Sequence, residues 1–152
     1  IAHKVLADRI AKRDPGNKPK SGDRIPYVYI CHPNKKAKQG EKIELPSYIL
    51  EHPKTTKIDY AHYISNQIMK PVLQVFALVL DELPGFKDKL GKKRRFYKEL
   101  QNQKEKLTEE KYHNKEEQLK NKEVKGLLFD KYLRLCKKDN STSIKDLFSN
   151  IK

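Results

Sequence analysis

Seven cations are scattered through the first 24 residues: Lys4, Arg9, Lys12, Arg13, Lys18, Lys20 and Arg24. They are interleaved with turn residues rather than massed in one block. Such a segment suits phosphate. An arginine fork binds two phosphate oxygens at once, a lysine acts as a point charge, and exposed loop amides add donors. An ordinary basic loop would use the same residues, so composition favours phosphate binding only modestly. Autonomous catalysis has less to stand on. His3, His32, His52, His62 and His113 are dispersed, and none pairs with another at metal-ligand spacing on one helix face. Asp8 and Asp14 bracket a turn without forming an acid/base pair. No glycine-rich phosphate loop or GxSxG is present. Glu109-Glu110 and Glu116-Glu117 lie in mixed-charge sequence and read as solvated surface. Cys31 and Cys136 have no CxxC neighbour, which argues against a zinc cluster. The pair reads as two free thiols in a reducing compartment.

The whole composition points the same way. The 152 residues hold 34 Lys+Arg against 20 Asp+Glu, a net charge of +14, which predicts a polyanionic partner. Apolar residues make up only 36%, so the core is modest or part of the apolar surface packs on something outside the chain. No apolar run reaches the roughly 18 residues that suggest a membrane span. No signal pattern opens the chain, and secretion is not expected. The first residue is Ile1 rather than Met, which suggests a piece of a longer protein.

The elements that would position the cations follow from periodicity. Residues 2–13 form a helix with Leu6 and Ile10 on one face, stopped by Asp14-Pro15-Gly16. A basic loop follows. Residues 25–30 read as a strand, with Pro26 at its first turn or on an edge, and Lys42–Leu45 as a second short strand. Asp59 is a candidate N-cap for a helix carrying Tyr60, Tyr63, Ile64 and Ile68, which Pro71 breaks or kinks. The segment 71–83 is apolar nearly all round and is expected to be a helix at the buried centre. Residues 87–98 hold seven basic residues and one acid. In 99–125, seven Lys balance seven Glu, which suggests an exposed helix or a linker. Apolar periodicity returns from Val124 to Leu135. The fold class is mainly α with a small β element (α+β).

Two blocks go beyond composition. In residues 2–30 the pattern H-x-x-L-A-x-R, K-R-D-P-G and P-x-x-G-D-R-I-P-Y-V is carried by His3, Leu6, Ala7, Arg9, Arg13, Asp14, Pro15, Gly16, Pro19, Gly22, Asp23, Arg24, Ile25, Pro26, Tyr27 and Val28. In residues 58–76 a second pattern is carried by Asp59, Tyr60, Tyr63, Gln67 and Pro71. Together they resemble the segment that follows the palm in family B DNA polymerases, especially the delta-type and large-DNA-virus enzymes. The resemblance covers about the first half of the chain and does not extend to residues 85–138.

The resemblance implies a polymerase thumb subdomain that closes over primer–template duplex and packs beside the palm. Residues 1–30 would be the palm-edge entry with its basic loop and strand, 31–85 the helical thumb core, 86–125 a charged helix or linker, and 126–152 a C-terminal helix and tail. Lys4, Arg9, Lys12, Arg13, Lys18, Lys20, Arg24 and Tyr27 would contact DNA. The palm's SLYPS and DTD motifs and the fingers' NSxYG motif are not in this sequence and would lie upstream. No cofactor is therefore expected in this segment, with Mg held by the parent's palm. The workplace would be a site of DNA replication, a nucleus or a cytoplasmic viral factory. The cysteine-rich module of cellular delta-type enzymes is missing, which favours the viral branch.

At the C-terminus, Ser141, Ile144, Leu147 and Phe148 resemble a degenerate clamp-binding peptide, implying a sliding clamp as partner. Packing of Ile144, Leu147 and Phe148 on the domain's own core is the competing fate. A non-enzymatic basic nucleic-acid-binding domain explains the charge equally well but not the two blocks. A protein-interaction module leaves the basic loop unexplained.

Overall fold

A computed structural model describes residues 1–138 of the chain, apart from the side chain of Lys138. It is mainly α-helical with one two-stranded antiparallel sheet. The described residues divide into two compact units, 1–63 and 64–138.

The first unit opens with α1 (Ala2–Arg13), which buries Leu6 and Ile10 as their spacing predicts. Lys12 and Arg13 occupy its last turn, where cations complement the helix dipole. Pro15 then starts a single 3₁₀ turn, Pro15–Asn17, after an extended Asp14. Strand β1 (Val28–Tyr29) pairs with β2 (Ile43–Glu44) in the register Val28↔Glu44 and Tyr29↔Ile43. The expected strand at 25–30 is thus shorter than its sequence suggests. Pro26 has no amide to donate to a ladder, so regular pairing begins after it. Beyond β1, Ile30 bridges Ile58, and the Cys31 amide donates to the Lys57 carbonyl at 2.8 Å. Helix α2 (Pro46–Glu51) starts with proline at its first position. Helix α3 (Tyr60–Tyr63) is capped by Asp59, whose carboxylate accepts the His62 amide at 2.9 Å. Leu6, Ile10 and Ile43 form the core, with Ala2, Ile25, Tyr29 and Leu45 packed around them.

In the second unit a π-helical stretch, Ile64–Ile68, leads into α4 (Met69–Leu78). Pro71 sits inside the first turn of α4. It has no amide for the Gln67 carbonyl, and its ring crowds that carbonyl, so a widened turn just before it relieves the clash. A 3₁₀ turn (Leu80–Glu82), α5 (Leu90–Lys106), α6 (Glu109–Leu128) and α7 (Asp130–Lys138) complete the unit. Its core joins Ala77, Leu80, Leu83, Phe86, Phe96, Leu100 and Val124. Phe86 and Phe96 meet edge to face at 5.4 Å. Gly85, at φ 82°, makes the turn that delivers Phe86, and a Cβ there would stand 3.3 Å from Leu127.

One expectation needs correction here. The segment 71–83 is not one buried helix: α4 stops at Leu78, and Ala77 is its one buried residue. Leu78 is 85% exposed and Val75 61% exposed. A helix offers one face to a core, and in α4 that face is Leu73 and Ala77, one turn apart. Val75, Phe76 and Leu78 stay exposed. Of the two alternatives for the balanced-charge stretch 99–125, an exposed helix or a linker, the structure shows helix. The stretch forms the C-terminal part of α5 and most of α6 and contributes Leu100, Leu119 and Val124 to the core.

Candidate nucleic-acid interface

The N-terminal cations sort into two groups. Arg9 and Arg13 turn inward, toward Glu44 of β2. Glu44 is the one buried charged residue among the described residues, 2% exposed. Its Oε2 accepts from Arg13 Nη2 at 2.9 Å and from Arg9 Nη1 at 3.2 Å, and its Oε1 accepts from the Leu45 amide at 2.9 Å. Arg9 also donates to the carbonyls of Ile43 and Gly40, each at 2.8 Å. Arg13 lies over the Tyr48 ring, 3.7 Å from its centroid. Burial alone would push the Glu44 carboxyl up. The Arg13 hydrogen bond, the Leu45 amide and Arg9 outweigh that and hold it below its ordinary value. A planar fork reaching several acceptors at once is what arginine offers and lysine does not.

The second group is exposed. Lys4 and Lys12 stand on α1, and Lys18, Lys20 and Arg24 on the loop after it. None of the five forms an ion pair among the described residues. Gly22, at φ 93°, shapes this loop, and Asp23 closes it by accepting the Lys20 amide at 2.7 Å. Tyr27, 37% exposed, packs its ring edge-on to His3 and to Tyr29. Tyr29 stacks on His62 at 3.7 Å, and its amide donates to the Tyr63 hydroxyl at 3.0 Å. The histidines His3 and His62 thus belong to an aromatic row.

The arrangement therefore offers positive charge on a braced helix and loop, with one aromatic at the edge. Among the described residues no group of three or more His, Cys, Asp or Glu is placed to hold a metal ion. No described helix is long and apolar enough to cross a membrane. Ser141, Ile144, Leu147 and Phe148 of the clamp-peptide pattern lie outside the described residues. Sequence reasoning passed over Glu44. Its signal was an acid between Ile43 and Leu45 in a short strand, with two arginines one helical turn apart elsewhere in the unit.

Comparison with known proteins finds similarity to DNA polymerases, in one case over most of the chain. A DNA polymerase from Pyramimonas orientalis virus is 47% identical over 141 residues, covering 88% of this chain and 11% of that protein. A DNA polymerase of Acanthamoeba polyphaga mimivirus is 50% identical over 86 residues, covering 53% of the chain and 5% of that protein. The DNA polymerase delta catalytic subunit of Drosophila melanogaster is 43% identical over 81 residues, 53% of the chain and 7% of that protein. The chain thus spans only a small part of the length of these relatives. No solved structure matches it. The family model for DNA polymerase family B matches residues 1–79, more than half of the chain, and the chain belongs to that family.

Proposed function

We propose that the chain is the thumb segment of a DNA-directed DNA polymerase and grips primer–template duplex through its phosphate backbone during DNA replication. The observation that carries this reading is the division among the N-terminal cations. Arg9 and Arg13 brace α1 against β2 through Glu44, while Lys4, Lys12, Lys18, Lys20 and Arg24 remain exposed on a segment that matches the family. Charges of this kind bind by releasing counterions from the duplex and carry no sequence information. Their role is to hold and orient the duplex while the 3′ end is extended elsewhere in the polymerase.

Nucleotidyl transfer itself belongs to the parent enzyme in this reading. Two-metal transfer needs carboxylates that hold both ions about 4 Å apart. The described residues do not fit such a pair, since no three or more His, Cys, Asp or Glu among them are grouped to hold a metal ion.

Titrating the 152-residue chain with duplex DNA at several salt concentrations tests the reading. We expect binding without sequence preference and with affinity falling steeply as salt rises. Replacing Lys12, Lys18, Lys20 and Arg24 with Gln should weaken it about tenfold or more at low salt. Binding that ignores salt, or that prefers one sequence strongly, would contradict the proposal.

A further inference from the structure

The cations of residues 87–98 are not equivalent once folded. Three are neutralised: Lys87 pairs with Glu82 at 2.7 Å, Lys92 with Glu123 at 2.5 Å, and Lys93 with Asp81 at 2.6 Å. The last two flank the core-facing side of α5, where Phe96 and Leu100 are buried. Asp81 is held below the usual carboxylate range by its hydrogen bonds from Lys93 and Tyr97, so this clasp is charged at neutral pH. Arg94, Arg95 and Lys98 lie away from it. All three are exposed, and none forms an ion pair among the described residues. At 100° per residue they share the face of α5 opposite Phe96 and Leu100, with Gln101 and Asn102 continuing the same face. Arg94 and Lys98 are one turn apart, about 6 Å along the axis.

We infer that this outer face of α5 is a second phosphate-contact surface for double-stranded nucleic acid, separate in sequence from the N-terminal cations. The proposal rests on the reading of the chain as a duplex-gripping segment and gives residues 86–106 a task within it. Three features favour a duplex backbone over other occupants. The face carries both arginines and a lysine followed by Asn102, residue types that bind phosphate and sugar oxygens, and it ends one turn on, where the Gln101 amide donates to Glu105 at 3.2 Å. It lacks exposed aromatic platforms: Tyr97 lies to one side with its hydroxyl held by Asp81, so bases of a single strand have nothing there to stack on. It also lacks the apolar companion face of a membrane-surface helix, because the apolar side of α5 is occupied by the unit's own core. The face lies beyond residues 1–79, so the family match does not assign it.

Three charge-removal variants of the full chain separate the outcomes: Arg94→Gln/Arg95→Gln/Lys98→Gln on α5, Lys104→Gln/Lys106→Gln/Lys111→Gln as an equal-charge control, and the N-terminal set above. Each is checked for an unchanged thermal midpoint, then titrated with duplex at 50 to 200 mM salt. The α5 variant should lower the slope of log affinity against log salt by about 2 to 3, since each phosphate contact contributes about 0.9. The control should leave the slope unchanged. If the α5 variant binds like the unmodified chain, or if the control loses as much, this surface is refuted and the duplex reading stands. If the unmodified chain shows no salt-dependent duplex binding, both fall. A vesicle of anionic lipid bound through the same three residues, with no duplex binding, would also overturn it.

Discussion

Glu44 ties α1 to its strand through Arg9 and Arg13, beside the Leu6, Ile10 and Ile43 core. Taking one carboxylate out of water is unfavourable, and only the two guanidinium groups and the Leu45 amide make it tolerable. Glu44→Ala would leave Arg9 without its counter-charge in a half-buried setting and should cost about 3 kcal/mol, the low end for a broken buried pair, because Arg13 can reach water. Arg13→Ala should cost only about 1 kcal/mol, since Arg9 still answers the carboxylate. Denaturant midpoints at constant slope would measure both, and equal losses would show that the network is not centred on Glu44. The pH dependence has a definite sign. A carboxyl whose pKa is lowered on folding takes up more protons when unfolded, so its stabilisation is complete above its ordinary 4.5 and is lost as pH falls through the lower folded value. Glu44→Gln should flatten stability across that acid window; an unchanged acid limb would assign the effect to other carboxylates.

Gly40 shows how closely the elements of the first unit approach. It lies in a 3₁₀ turn, Gln39–Glu41, directly against α1. A Cβ at this position would stand 2.7 Å from Val5 Cβ and 3.0 Å from the Ala2 carbonyl. Gly40→Ala must push α1 off the turn and strain the Arg9 bond to the Gly40 carbonyl, and we expect a loss of about 1 to 3 kcal/mol. A melting temperature equal to that of the unmodified chain would show that the turn yields freely. This contact was invisible in the sequence, because it joins residues 35 or more positions apart. Local signals were readable. The Leu6/Ile10 stripe, the proline-glycine stop and the Asp59 cap each depend on neighbours in the chain, and each is found where periodicity put it. The apolar run at 71–83 misled because hydrophobicity reports what can be buried, not what covers it. The π-helical turn before Pro71 had only the proline as its signal, and proline alone reads as a break. For the interface, the cations were legible as residue types. Which of them would be tied up by Glu44, Asp81, Glu82 and Glu123 was not, since those partners come from other elements.

Across the molecule, two small cores carry a surface dominated by positive charge, and the same surface exposes Ile68, Val75, Leu78 and Val79 around α4. These two properties act against each other in solution. Mutual repulsion between molecules of net charge +14 keeps apolar patches apart only while the repulsion reaches further than the patches do. The screening length is about 10 Å at 0.1 M salt and about 3 Å at 1 M. The isolated chain should therefore be monodisperse in dilute buffer and self-associate as salt rises, the reverse of salting-in. Light scattering through a salt gradient will register it, and Leu78→Lys together with Val75→Lys should move the onset to higher salt. Particle size that stays constant to 1 M would mean the patch is too small or too rough to adhere. For anyone handling this chain, the solvent used to strip nucleic acid from it is also the one that makes it stick to itself.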